Sequence, residues 1–223
     1  MTGTIAICIT TRNRQEAFCK SIHQQLTNLP TNATLIVVND AGEPTEYDTF
    51  RFPERAGIPR AKNKCLELAM AAGSDEIFLF DDDCYPISKG WEMPYIRSPF
   101  RHLCFTFLPQ AGIYPDGLHK YHSLGNGCML YIHRDVVDNI GGFDTSFGIG
   151  KYEHTQFSFR AYNAGYCPFL YMDVIGSEHL LYSMDEHGEV ERSMTEAEME
   201  TQLRNGYERF HRTIGTTLYC DYN

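Results

Sequence analysis

The sequence predicts an α/β fold built on a mainly parallel sheet, and three observations carry that prediction. Ile5 to Ile9 and Thr34 to Val38 are continuous apolar runs of strand length, as expected for strands covered on both faces. The segment between them, Gln15 to Leu29, places Ala17, Phe18, Ile22, Leu26 and Leu29 at helical spacing and stops before Pro30. A third apolar run, Glu76 to Phe80, follows a second amphipathic segment from Pro59 to Ala72 that Gly73 closes. Strand, helix and strand in this order make a parallel βαβ unit with a crossover helix.

Each element follows in turn. The first strand ends in Thr10-Thr11-Arg12-Asn13-Arg14, the second in Asn39-Asp40-Ala41-Gly42, and the third in Asp81-Asp82-Asp83. A short strand, Thr49 to Phe52, lies between the second strand and the second helix. Parallel sheets bind ligands at the carboxyl ends of their strands, so the three polar loops are expected to converge there. The second half is richer in Gly, Tyr, Phe and Pro, and its apolar runs, Leu103 to Leu108, Gly127 to His133 and Cys167 to Val174, predict a mixed sheet carrying loops. Helices are predicted over Glu153 to Ala164 and over Glu196 to Arg212, the latter opened by a capping box of Thr195 and Glu198. In that last helix, Leu203, Tyr207, Phe210 and Ile214 form an apolar stripe, read as packing. The lone Trp91 is also read as packing, and His119 and His122 flank a Tyr-rich loop placed to close over a bound ligand, although nothing in the sequence requires that closure.

The 223 residues suit one domain, and 43% hydrophobic against 22% charged residues is an ordinary globular composition. Twenty-nine acids against 19 bases give a formal net charge of -10, which lacks the basic footprint of a non-specific nucleic-acid binder. Residues 178–200 hold eight acids and one base, so the acidity is concentrated there and counts less against a nucleic-acid partner than the total suggests. Apolar runs of four or five residues fall far short of the roughly 20 that a membrane helix needs. The first three residues carry no basic leader signal. Eight cysteines without a Cys-x-x-Cys pair fit a reducing compartment, and a soluble, cytoplasmic protein is the expectation.

The sharpest local signal is Asp81-Asp82-Asp83 directly after an apolar strand. Three adjacent carboxylates repel one another and need a compensating charge. In an extended or turn conformation Asp81 and Asp83 face the same side, where two hard oxygen ligands suit Mg2+ or Mn2+. A solvated acidic turn is the other reading of the triplet alone.

Four segments place the triplet in context, in order: Ile7 to Arg14, Ile36-Val-Val-Asn-Asp-Ala-Gly42, Gly57-Ile-Pro-Arg-Ala-Lys-Asn63 and Phe78-Leu-Phe-Asp-Asp-Asp-Cys-Tyr-Pro86. Gly141-Gly-Phe-Asp-Thr-Ser-Phe147, Tyr152-Glu153-His154 and Phe157 to Arg160 follow them. This set resembles the family-2 glycosyltransferases of GT-A fold, with Asn39 in place of the first Asp of the second motif. The resemblance implies a single GT-A domain with a Rossmann-like mixed central sheet flanked by helices. It divides into a nucleotide-sugar-binding half over 1–112, an acceptor-side half over 113–190 and a C-terminal helical segment over 191–223.

The resemblance further implies that Thr10, Asp40 and Arg60 contact a nucleotide, most often uridine, with Arg12, Asp82 and Gly127 also on the donor side. Asp83 would be the main ligand of Mn2+ or Mg2+, Asp81 a ribose or second metal contact, and His179, 25 residues after His154, a further metal ligand. The implied partners are a nucleotide-sugar donor and an unknown acceptor, whether saccharide, protein or modified DNA base. In an inverting transfer a base removes the acceptor hydroxyl proton, and Glu153 and His154 are equal candidates, because histidine stands where the family's "ED" pair has its Asp. Two other readings use the same residues: a nucleotidyltransferase, although Thr10 to Arg14 has no phosphate-binding glycine, and a non-catalytic nucleotide- or carbohydrate-binding module.

Overall fold

The computed structural model describes residues 3–190, 195–215 and 218–222, so the expected segment boundary at 191 lies outside the described residues. The elements run β1 (Ile5–Thr11), α1 (Gln15–Thr27), β2 (Ala33–Asn39), β3 (Phe50–Arg51), α2 (Ile58–Ala71), β4 (Glu76–Asp81), β5 (Cys84–Pro86), α3 (Met93–Ile96) and β6 (His102–Phe105). They continue with β7 (Gln110–Ile113), β8 (His119–His122), β9 (Met129–His133), α4 (Arg134–Ile140), α5 (Glu153–Asn163), β10 (Tyr171–Val174), β11 (Leu181–Ser183) and α6 (Glu196–Thr213). The predicted helices are present with ends shifted by one or two residues. Of the predicted second-half strands only the well-covered parts form ladders. The Gly127 to His133 run becomes β9, and the Cys167 to Val174 run contributes only its last four residues as β10.

The central sheet has the order β3-β2-β1-β4-β9-β6. β1 pairs in parallel with β2 and β4, β2 pairs in parallel with β3, and β9 is antiparallel to both β4 and β6. The fold is therefore the mixed α/β sheet that the sequence predicts. Thr10 lies opposite Asp81, and Thr11 opposite Asn39, so three polar loops leave the sheet at one edge.

Side chains alternate between the two faces of the sheet, and the core divides accordingly. Ile5, Ile7, Ile9, Phe78 and Phe80 pack on one face with Phe18 and Ile22 of α1, Trp91 and Tyr95. Ala6, Cys8, Ile77 and Leu79 pack on the other with α2, α4 and α5 through Leu66, Val137 and Phe157. The expected packing role of Trp91 holds: it is fully buried, its ring meets Phe78 edge-on at 4.8 Å, and its Nε1 donates to the Asn28 carbonyl at 3.2 Å. Such aromatic pairs contribute about 0.5–1.5 kcal/mol beyond their buried area.

Beside the sheet pairing, two contacts at α2 help to join the first half of the chain to the second. Asn63 on α2 donates from Nδ2 to the Phe143 carbonyl at 2.9 Å and accepts from the Phe143 amide at 2.6 Å. Gly57, at φ +92°, lies so close to the loop after Phe147 that an added Cβ would come within 2.2 Å of the Gly148 carbonyl oxygen. Only glycine fits there. We expect Asn63→Ala to lower the unfolding free energy by about 2–4 kcal/mol, since two buried backbone groups lose their partner. Urea denaturation measures this, and a loss below about 1 kcal/mol would show that the lock is unimportant.

Candidate active site

The three polar loops line a cavity of about 450 Å³. Thr10, Arg12, Asp40, Asp81, Asp82 and Asp83, six of the sequence-predicted site residues, all border it. The cavity is closed on other sides by Phe107 and Asn126, by Ile149 and Lys151, by Asp185, and by Met199 and Leu203 of α6. The α6 stripe is thus not wholly packing, because Leu203 is 44% exposed and forms cavity wall.

The carboxylate triplet is held by the chain's own cations. Arg14 spans two carboxylates, with Nη1 donating to Asp83 Oδ2 at 2.8 Å and Nη2 to Asp82 Oδ1. Thr11 Oγ1 donates to the other Asp82 oxygen at 2.8 Å, so the buried Asp82 is fully engaged and serves as the anchor of Arg14. Burial pushes the Asp83 carboxyl up to about 6 despite Arg14, and it pushes Asp82 in the same direction. On the far side of the triplet, the buried ammonium of Lys62 lies 3.5 Å from Asp81 and 3.5 Å from Glu153. Burial would strip Lys62 of its proton, but the two carboxylates outweigh it and hold the charge.

Asp40 borders the cavity and also orders it. Its oxygens accept from the backbone amides of Ala56 at 2.5 Å and Gly57 at 3.0 Å, which fixes the entrance to α2. Asn39 completes this corner, accepting from the Gly42 amide at 2.7 Å and donating to the Glu43 carbonyl at 2.8 Å. Arg12 presents a buried Nε with no hydrogen-bond partner among the described residues. An unpaired guanidinium nitrogen on the cavity wall suits an anionic oxygen.

Five sequence-predicted residues do not border the cavity. Arg60 is exposed and off the cavity, because the inner face of α2 is set by Ile58, Ala61, Lys62 and Cys65, and Arg60 falls on the opposite side. His179 is exposed and does not border the cavity. The antiparallel pairing of β11 with β5 brings the chain back towards the triplet only after His179, so Asp185 is the residue delivered. Neither Glu153 nor His154 borders the cavity. Glu153 is buried behind Lys62; burial alone would raise its carboxyl, but Lys62 and His154 hold it well below the usual range. Its Oε2 has no hydrogen-bond partner among the described residues. His154 donates from Nε2 to the Gly125 carbonyl at 3.1 Å, and its Nδ1 lies 3.6 Å from Glu153.

Gly127, at φ +71°, rests on the His154 ring, where an added Cβ would come within 2.5 Å of Cγ. It shapes the wall through its neighbours Asn126 and Cys128 without bordering the cavity itself. Lys151 and Tyr152, just before Glu153, both adopt positive φ, at 76° and 68°, which costs of order 1 kcal/mol or more each in non-glycine residues. His119 and His122 are the two ends of one strand, β8, so the residues between them form no loop that closes over the cavity.

A divalent cation is compatible with the donor set. Asp81 and Asp83 are hard oxygen ligands on one cavity wall, and each has an oxygen outside its closest ion pair. Among the described residues no group of three or more His, Cys, Asp or Glu side chains is arranged to hold a metal ion, so the remaining ligands would have to come from substrate and water.

Arg14→Ala should cost about 3 kcal/mol of stability by leaving Asp82 buried beside Asp83 without a counter-charge. Arg14→Lys should recover less than half of it, because an ammonium cannot span both carboxylates as the planar fork does. Chemical denaturation of the two variants checks both expectations.

No protein-family profile matches the chain. It is 27% identical over 207 residues to an uncharacterized glycosyltransferase, R363, of Acanthamoeba polyphaga mimivirus, covering 79% of this chain and 80% of that one. Among solved structures, the mannosyltransferase PcManGT of Pyrobaculum calidifontis, in complex with GDP-Man and Mn2+, superposes with a TM-score of 0.56 at 14% identity, over 74% of this chain and 54% of that one. GalNAc-T7 with UDP, GalNAc and Mn2+ gives 0.58 at 14% identity over 74% and 41%, and TarS of S. aureus gives 0.59 at 11% over 96% and 44%. The chain spans about half the length of these solved structures or less. By sequence and by fold, it is related to glycosyltransferase enzymes.

Proposed function

We propose that this protein is an inverting, metal-dependent glycosyltransferase of the family-2 type, which moves a sugar from a nucleotide-sugar, with uridine as the favoured base, to an acceptor hydroxyl. The observation that carries the reading is the convergence of Thr10, Arg12, Asp40, Asp81 and Asp83 on one cavity at the carboxyl ends of parallel strands. The relatives support it: one is complexed with GDP-Man and Mn2+ and another with UDP and Mn2+.

In this reading Asp40 and Thr10 receive the nucleoside, and Arg12 takes a diphosphate oxygen on its unpaired Nε. Asp81 and Asp83 form the DxD pair that would hold Mn2+ or Mg2+, which supplies positive charge to the departing diphosphate. The acceptor oxygen attacks the anomeric carbon, the bond from that carbon to the diphosphate oxygen breaks, and the electron pair leaves with the nucleoside diphosphate. Glu153 takes the hydroxyl proton. Its unpartnered oxygen favours it over His154, whose Nε2 proton is committed to a carbonyl and whose Nδ1 faces Glu153. His154 then orients Glu153, and the acceptor must reach past the Gly125 to Gly127 loop.

Release of nucleoside diphosphate from a panel of UDP- and GDP-sugars tests the reading. Turnover should require Mn2+ or Mg2+, stop with chelator, and fall about 100-fold or more in Asp83→Asn. Turnover indifferent to chelator would overturn the metal assignment. Glu153→Gln should lose about 100-fold in turnover while keeping nucleotide affinity, since it removes a base without changing shape. Wild-type turnover in that variant would remove Glu153 from the chemistry.

A further inference from the structure

A second pocket, of about 190 Å³, adjoins the donor cavity and takes no part in the steps above. Phe107 borders both spaces. Beside it Thr106 Oγ1, on the second pocket, donates to Asn126 Oδ1, on the donor cavity, so the two share a wall one side chain thick.

His122 lies in this pocket, 6% exposed. Its Nδ1 is 2.9 Å from the Leu108 carbonyl oxygen and 3.3 Å from that of Pro109. A carbonyl only accepts, so the ring proton is on Nδ1 and Nε2 offers a lone pair. Burial also lowers the pKa of the ring, which keeps that lone pair free. Nε2 is buried and has no hydrogen-bond partner among the described residues. A buried acceptor without a donor is costly, and the place calls for an O–H or N–H group.

The rest of the lining narrows the ligand. Lys120 Nζ lies 2.8 Å from Glu178, and Glu186 adds a second carboxylate, so the rim repels anions while offering donors and acceptors together. Phe105 and Phe107 supply an apolar surface. The volume is below the roughly 300 Å³ at which drug-sized sites begin, which suits a single ring.

We propose that this pocket binds a neutral sugar ring of the acceptor, with a ring hydroxyl donating to His122 Nε2, others meeting Lys120 and Glu178, and the apolar ring face against Phe107. Its role as an acceptor site rests on the glycosyl-transfer reading, whereas sugar binding itself does not. The acceptor is then a saccharide, held beside the donor cavity.

The test is saturation-transfer NMR of the full chain with a panel of methyl pyranosides, including N-acetylamino forms. The proteins are wild type, His122→Phe and Glu178→Gln, with circular dichroism to verify folding. At least one glycoside should bind wild type, with its dissociation constant raised about tenfold or more in His122→Phe, as for loss of one buried hydrogen bond. Glu178→Gln, a change on the exposed rim, should raise it several-fold and carries the test if His122→Phe does not fold. The proposal is overturned if no glycoside binds wild type, if binding is unchanged in the folded variants, or if a serine- or threonine-containing peptide shows the His122 dependence instead. Titration of wild type with UDP and GDP separates the two readings. Nucleotide binding without glycoside binding rejects this pocket and spares the donor site, and the converse rejects the donor site and spares the pocket.

Discussion

Three carboxylates in sequence at the end of a buried strand cannot be folded into a protein without positive charge close by, and the way this chain supplies it organises everything around the cavity. Arg14 reaches from the loop after β1 to Asp82 and Asp83, and Lys62 reaches from the first turns of α2 to Asp81 and Glu153. Both contacts require β1, β4 and α2 to meet at one edge of the sheet, so the electrostatic solution and the parallel topology enforce each other. Removing either cation leaves buried charge uncompensated, a far larger effect than an exposed ion pair would give.

Lys62 has a second consequence. It ties Asp81, on the donor side, to Glu153, the first residue of α5. A shift in charge at the triplet is therefore felt at the proposed base through a single ammonium group. Asp40 plays the mechanical counterpart, because the carboxylate that borders the cavity also holds the amides at the start of α2, the helix that carries Lys62.

Much of this was legible in the sequence. The continuous apolar runs of β1, β2 and β4 identify parallel strands, and their polar ends identify the ligand edge, because both patterns are local. The capping box of Thr195 and Glu198 is present with both of its bonds, for the same reason. The counter-charges of the triplet were not legible: the need for one is visible in three adjacent aspartates, but Arg14 and Lys62 meet them across long stretches of chain and leave no spacing signature. Arg60 and His179 show the converse limit. A motif position names a residue, whereas the rotation of α2 and the pairing of β11 with β5 decide which side chain faces the cavity, and they select Ile58, Ala61 and Asp185. The short strands β5, β7, β8 and β11 carry too few residues for an alternation to stand out. The pocket around His122 is built from three of the second half's elements and exists only once they are assembled.

The contact of Gly57 with the Gly148 loop leaves no space between the two halves of the chain at the cavity rim, while the opposite side is closed by α6 through Met199 and Leu203. α6 rests on the strained Lys151-Tyr152 backbone through Gly206, where an added Cβ would come within 2.8 Å of the Lys151 carbonyl oxygen. The cavity thus has one hard wall and one soft wall. Backbone locked to backbone on the first cannot be reshaped without dismantling the sheet edge, whereas unbranched or γ-branched side chains on a peripheral helix can be exchanged one by one. Side chains on the helix, Met199 and Leu203 among them, can therefore be changed without disturbing the carboxylate edge of the sheet.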